Sequence, residues 1–178
     1  MGRDTHPLRR LIRSIPDFPK AGIVFRDITT LLLDAGALRE TVRQMADAFR
    51  DDRVDLVAAV ESRGFIFGAA VAVELGVGFV PIRKPGKLPA ETTSETYELE
   101  YGTDTVEIHT DAVRPGQRIL MVDDLLATGG TMAAACRLVE TLGGAVVGIA
   151  LLIELEFLNG RSRLGDYRVV SLVTYDAE

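Results

Sequence analysis

The stretch Arg118–Thr131, RILMVDDLLATGGT, constrains this chain more than any other. Ile119 to Val122 form a short apolar run, the pattern of a strand buried on both faces. The run ends in two adjacent carboxylates, Asp123 and Asp124. A small-residue turn follows, Ala127-Thr128-Gly129-Gly130-Thr131. Met132, Ala135, Cys136 and Val139 then recur at helical spacing. A strand, an acidic pair, a glycine turn and a helix together predict a phosphate site. Gly129 and Gly130 allow backbone angles that let several N–H groups converge, and the helix N-terminus adds unpaired N–H groups and a partial positive charge. Thr128 and Thr131 add hydroxyls. The two aspartates repel phosphate, so they are expected to face a vicinal diol, whose hydroxyls they can accept from. Phosphate at one end and a diol at the other describe a ribose 5-phosphate.

Two better-known phosphate loops are absent. No Lys follows the glycines as G-x-x-x-x-G-K-[ST] requires, and Gly76 and Gly78 are followed by Pro81 where G-x-G-x-x-G needs glycine. Neither a nucleotide triphosphatase nor a dinucleotide enzyme is expected.

Charge and length narrow the classes further. With 26 acidic against 20 basic residues the net charge is −6, which argues against a nucleic-acid surface. No apolar run reaches the roughly 18 residues of a membrane span, and the charged start MGRDTHPLRRLIRS lacks a signal-peptide core. The lone Cys136 excludes an internal disulfide and fits a reducing cytoplasm; on the apolar stripe of a helix it reads as a packed thiol. The 178 residues are expected to form one domain, residues 1–178.

Taken in order, Leu8, Leu11, Ile12 and Ile15 predict a surface helix ended by Pro16. Ile23, Val24 and Phe25 predict an extended segment, and Leu31 to Leu33 a small apolar cluster. A helix is expected from about Ala37 to Arg50. Leu56–Val60 reads as a buried strand running into Glu61-Ser62-Arg63-Gly64, then an almost wholly apolar helix, Phe65–Leu75, covered on all sides. Arg63 stands where a strand ends, the side on which open α/β sheets bind ligands, and a guanidinium there can hold pyrophosphate bidentately. Phe79–Ile82 is a third strand, leading into the cations Arg83, Lys84 and Lys87. Residues 91–109 alternate in polarity around Gly102 and read as a hairpin with few apolar anchors, therefore mobile. Gly144–Glu154 and Arg168–Val173 are further strands. Strands alternating with helices predict a mainly parallel sheet with helices on both faces.

VDDLLATGGT resembles the phosphoribosylpyrophosphate-binding signature of type I phosphoribosyltransferases. Three more strings, FPKAGIVFRDIT, ESRGF, and RKPGKLP with YELEYG, extend a resemblance to the adenine phosphoribosyltransferases over almost the whole chain. Ala90 departs from it, standing where many members have glycine. The resemblance implies an α/β type I phosphoribosyltransferase fold with an N-terminal hood (about residues 1–35) and a hairpin lid (about residues 85–109). It implies transfer of the phosphoribosyl group from 5-phosphoribosyl-1-pyrophosphate to adenine, giving AMP and pyrophosphate, in a cytoplasmic homodimer. Ala127–Thr131 would hold the 5-phosphate, Asp123 and Asp124 the ribose, and Arg63, Arg83 and Lys87 the pyrophosphate. Val24, Phe25 and Arg26 would hold adenine, with Glu100 and Arg63 catalytic and Tyr101 on the lid. Mg2+ would be carried by the substrate, with no direct protein ligand. A hypoxanthine, guanine or xanthine transferase and a nucleic-acid-binding regulator on the same fold are the alternatives.

Overall fold

The computed structural model describes residues 6–98 and 102–177. The chain opens with a 3-10 turn, Pro7–Leu11, then β1 (Arg13–Ile15), β2 (Phe25–Asp27), α1 (Thr29–Leu33), α2 (Ala35–Asp47), β3 (Leu56–Val60), α3 (Gly64–Leu75) and β4 (Gly78–Ile82). After these come β5 (Thr92–Glu98), β6 (Thr103–His109), β7 (Arg118–Leu126), α4 (Gly130–Thr141), β8 (Ala145–Leu155) and β9 (Val169–Tyr175). Five strands form one sheet in the order β4-β3-β7-β8-β9, every pair parallel. Its central strands are near-continuous apolar runs because both faces are covered. Pro81 sits on β4, an edge strand, where its missing N–H costs the ladder least.

One face packs α2, α3 and the N-terminal segment, through Leu8, Met45, Phe49 and Phe67 among others. The opposite face packs α4 together with the β5–β6 hairpin, whose Tyr97, Val106 and Ile108 are buried in that core. Among the described residues, no helix is long and apolar enough to cross a membrane.

Several expectations need correction. Residues 6–15 do not form one helix: a short 3-10 turn gives way to β1, which pairs antiparallel with β2. Leu8 and Ile12 are still buried, so the apolar spacing served docking rather than a continued helix. Of the Leu31–Leu33 cluster, Leu31 is fully buried but Leu33 is 86% exposed. Helix α2 starts at Ala35, earlier than expected, because Asp34 caps it by accepting from Ala37 N at 2.9 Å. Helix α3 is not covered on all sides, since Val73 is 82% and Ile66 40% exposed. The hairpin is better anchored than its polarity suggests. Its few apolar residues fall on one face, and that face meets α4.

Candidate active site

β3 and β7 are neighbours, with Ala59 opposite Val122, so the turns that follow them lie side by side at the carboxyl edge of the sheet. Between them opens a cavity of about 350 Å³, lined by residues 60–63 and 123–132. It gathers Arg63, Asp123, Asp124 and all of Ala127–Thr131.

β7 runs on through Asp123 and Asp124 to Leu126, so the acid pair stands on the strand itself rather than after it. Helix α4 begins at Gly130, and Gly129 precedes it in the left-handed region, φ 82°. A second reason for glycine lies across the fold. A Cβ on Gly129 would come within 2.3 Å of the Gly160 carbonyl oxygen, and one on Gly160 within 2.2 Å of that of Ala127. The glycine turn is thus backed, main chain against main chain, by the turn at Asn159-Gly160. Arg161 holds this second turn through two hydrogen bonds to the buried Glu154, of 2.6 and 2.7 Å. Asn159-Gly160 carries the sequence signal of a turn, but nothing local says what it packs against.

Asp123 Oδ1 accepts from the Asp124 amide at 2.9 Å. A Cβ on Gly64 would lie 2.7 Å from the same oxygen, so glycine at the start of α3 lets the two turns close on each other. Asp124 is 4% exposed. Its Oδ2 lies 2.9 Å from Arg63 Nε, yet the pair is not aligned as a hydrogen bond, and this buried oxygen has no hydrogen-bond partner. Burial, reinforced by the neighbouring Asp124 charge, pushes the Asp123 carboxyl well above the usual range. Burial also raises Asp124, against the pull of Arg63. Two raised carboxyls, one with an unpartnered oxygen, make a site suited to hydroxyl donors or a cation.

Arg63 also reaches the hood, with its guanidinium 5.3 Å from the centre of the Phe25 ring. Phe25 meets Phe18 edge-on, ring centres 5.2 Å apart, and half-buried Val24 leads into β2. Arg26 points the other way. Its guanidinium lies 4.0 Å over the Tyr175 ring and donates to Ser14 Oγ at 2.5 Å. Only its main chain is left to meet a ligand.

The basic turn is less free than its sequence implied. Arg83 donates to Glu61 Oε2 through both Nε and Nη2, at 2.8 and 2.6 Å. Lys84 N donates to Glu61 Oε1 at 2.7 Å, and Lys84 Nζ pairs with Asp104. Burial pulls the Glu61 carboxyl up, but the Lys84 amide and Arg83 outweigh it and hold it below its ordinary value. Among the described residues Lys87 carries no ion pair. Glu100 and Tyr101 lie outside the described residues. Buried Cys136 has its thiol pushed up to about 12 by burial, as suits a packing residue.

Residues 30–177 match the family model of the phosphoribosyl transferase domain. An adenine phosphoribosyltransferase of Clostridium perfringens is 58% identical over 169 residues, 95% of this chain and 98% of the relative. The crystal structure of adenine phosphoribosyltransferase from Thermoanaerobacter pseudethanolicus matches with a TM-score of 0.92 at 58% identity, covering 94% of this chain and 98% of that one. The Saccharomyces cerevisiae adenine phosphoribosyltransferase, solved with an imino-altritol bisphosphate and adenine, matches with a TM-score of 0.88 at 41% identity, covering 93% and 96%.

Proposed function

The chain belongs to the phosphoribosyl transferase family, among the adenine phosphoribosyltransferases, and on that premise we propose how its cavity performs purine salvage. The enzyme transfers the 5-phosphoribosyl group from 5-phosphoribosyl-1-pyrophosphate to adenine, giving AMP and pyrophosphate. The observation that carries the assignment of roles is one cavity holding a glycine-built helix N-terminus beside an acid pair whose buried member, Asp124, has an unpartnered oxygen.

Ala127–Thr131 bind the 5-phosphate by main-chain N–H groups and the two threonine hydroxyls. Asp123 and Asp124 accept from the ribose hydroxyls. Anchoring both ends of the sugar positions C1, so remote binding energy lowers the barrier at the reacting atom. The bond from C1 to pyrophosphate breaks as N9 of adenine bonds to C1, through an oxocarbenium-like state. Arg63 meets the departing pyrophosphate, with Lys87 and Arg83 of the basic turn. The absence of an ion pair on Lys87 among the described residues supports its part. For Arg83 to take part it must share its guanidinium with Glu61. Glu100, by its place in the string YELEYG, takes the proton from N7, and Tyr101 is the next residue of that string.

Magnesium, when bound with the donor, would supply positive charge to neutralise the leaving pyrophosphate. The unpartnered Oδ2 of Asp124 fits a cation delivered this way.

Adenine lies under the hood, against Val24, Phe25 and the main chain of Arg26. Support comes from the Phe25 ring turned toward Arg63 and from β2, which pairs with a strand on one edge only among the described residues. An open main-chain edge offers donors and acceptors that match adenine's amine and N1, and hypoxanthine reverses both. Such mismatches discriminate by about 10⁴ or more. A single domain, a cytoplasmic location and a homodimer complete the reading. Leu33 and Val73, 86% and 82% exposed, are apolar surface that a second copy could cover.

The test is a panel of adenine, hypoxanthine, guanine, xanthine, uracil and orotate with donor and magnesium. Nucleotide should form with adenine and scarcely with the rest. Comparable turnover of hypoxanthine or guanine would move the chain to a sister specificity, and no turnover of any base would favour a regulator.

A further inference from the structure

Tyr97 sits outside the cavity, on the hairpin, and only 6% of it is exposed. A buried tyrosine needs partners for its hydroxyl, and this one has two. Tyr97 Oη accepts from Thr131 Oγ1 at 2.9 Å and donates to Asp104 Oδ2 at 3.2 Å. The directions follow from chemistry. Burial pulls the Asp104 carboxyl up, but Lys84 and the Thr105 amide together outweigh it and hold it below its ordinary value; a carboxylate only accepts, so the one phenolic proton goes to Asp104. Asp104 also pairs with Lys84 Nζ, and the Lys84 amide donates to Glu61. Two residues on, Arg63 meets Asp124. Polar contacts therefore run from the turn at Thr131, through the hairpin and the basic turn, to Glu61, and two residues of main chain join that to the acid pair.

We propose that Tyr97 is a positioning residue that couples occupancy of the 5-phosphate turn to the setting of the basic turn at Arg83–Lys87, so that a ligand at one end raises affinity at the other. The inference rests on the phosphoribosyl-transfer reading above. Proton counting gives the mechanism. Thr131 has one hydroxyl proton, given to Tyr97 when the turn is empty. A phosphate offers only acceptors and takes that proton. Thr131 Oγ1 then becomes an acceptor for Tyr97, which turns its own proton from Asp104 to Thr131. Asp104 Oδ1 keeps the Thr105 amide while Oδ2 is left to Lys84, their pairing tightens, and the basic turn is fixed in place for pyrophosphate. Without the phenolic hydroxyl the two ends are independent.

Calorimetric titration tests this with ribose 5-phosphate and with magnesium pyrophosphate, each alone and each with the other saturating. In the wild type, ribose 5-phosphate should raise pyrophosphate affinity by about three- to tenfold, the scale of one hydrogen bond, and pyrophosphate should raise ribose 5-phosphate affinity by the same factor. Tyr97→Phe keeps the ring packing. It should bind ribose 5-phosphate alone within about twofold of wild type while the coupling factor falls to about one. Asp104→Asn, which keeps Tyr97, should lose the coupling as well. A merely structural role would weaken both affinities together and leave their coupling intact. Coupling retained in both variants, or absent from the wild type, overturns the relay alone. Failure of the wild type to bind either ligand overturns the phosphoribosyl reading and the relay with it.

Discussion

The two turns that frame the cavity do similar work with different materials. The turn after β7 is held by main chain, Gly129 against Gly160 and Gly160 against Ala127, at approaches no side chain would allow. The turn after β3 is held by charged side chains, Glu61 to Arg83 and Lys84, Arg63 to Asp124. The first cannot titrate and has one shape, which suits a phosphate that never leaves the sugar. The second can exchange partners, which suits a group that must be gripped and then released as product. Rigidity and adaptability at one sheet edge thus follow from whether the contacts are made by the backbone or by side chains.

The largest effect expected from breaking this contrast comes from Gly160→Ala. Its Cβ would push on the Ala127 carbonyl and displace the phosphate turn. Hydrogen bonds to charged groups are worth about 1.5–3 kcal/mol each, so losing two or more lowers kcat/KM for the donor by at least about a hundredfold. Steady-state donor kinetics measure it, and near-normal values would mean the Asn159-Gly160 turn yields and the cup is not rigid.

Next come Asp123→Asn and Asp124→Asn, which keep shape and remove charge. Each should lower donor kcat/KM by about ten- to a hundredfold. Unchanged donor kinetics in both would remove the diol assignment.

Glu61→Gln probes the adaptable turn. With Arg83 and Lys84 loosened, KM for pyrophosphate in the reverse reaction should rise by roughly three- to tenfold while KM for AMP stays within about twofold. The difference should shrink as salt screens the half-exposed charges. An equal rise in both constants would show that the two turns do not act separately.

The smallest effect lies in the hood and asks whether the turns are insulated from it. The Thr29 amide, then Arg13, hold the Asp27 carboxyl down at about 2, against an ordinary 3.8. A lowered carboxylate stabilises the folded state above its unfolded value, and that contribution fades as pH falls through the folded one. The melting temperature should therefore drop between about pH 4 and pH 2, and Asp27→Asn should flatten that drop. Adenine turnover at neutral pH should change by less than about threefold in the variant. A melting curve with the same acid slope in the variant would reassign the sensitivity to other carboxylates.

The parts of this protein that could be read from its sequence were those whose reasons are local. β3 and its apolar run matched residue for residue. The glycine turn and the acid pair were legible because strand, turn and helix are consecutive in the chain, and their periodicity changes on the spot. Cys136 as a packed thiol is local in the same way. What only the tertiary structure decided were partnerships between distant segments. The cations of the basic turn looked free until Glu61, 22 residues away from Arg83, neutralised one of them. Tyr97 looked like one member of an alternating polar hairpin until α4 buried it against Thr131, 34 residues on. Gly160 looked like a surface turn until Ala127 and Gly129 came within contact of its backbone. Periodicity and turn chemistry are set by covalent neighbours within a few residues, so sequence fixes them. Ion pairs, buried hydroxyl partners and backbone-to-backbone contacts depend on which segments the closed fold brings together.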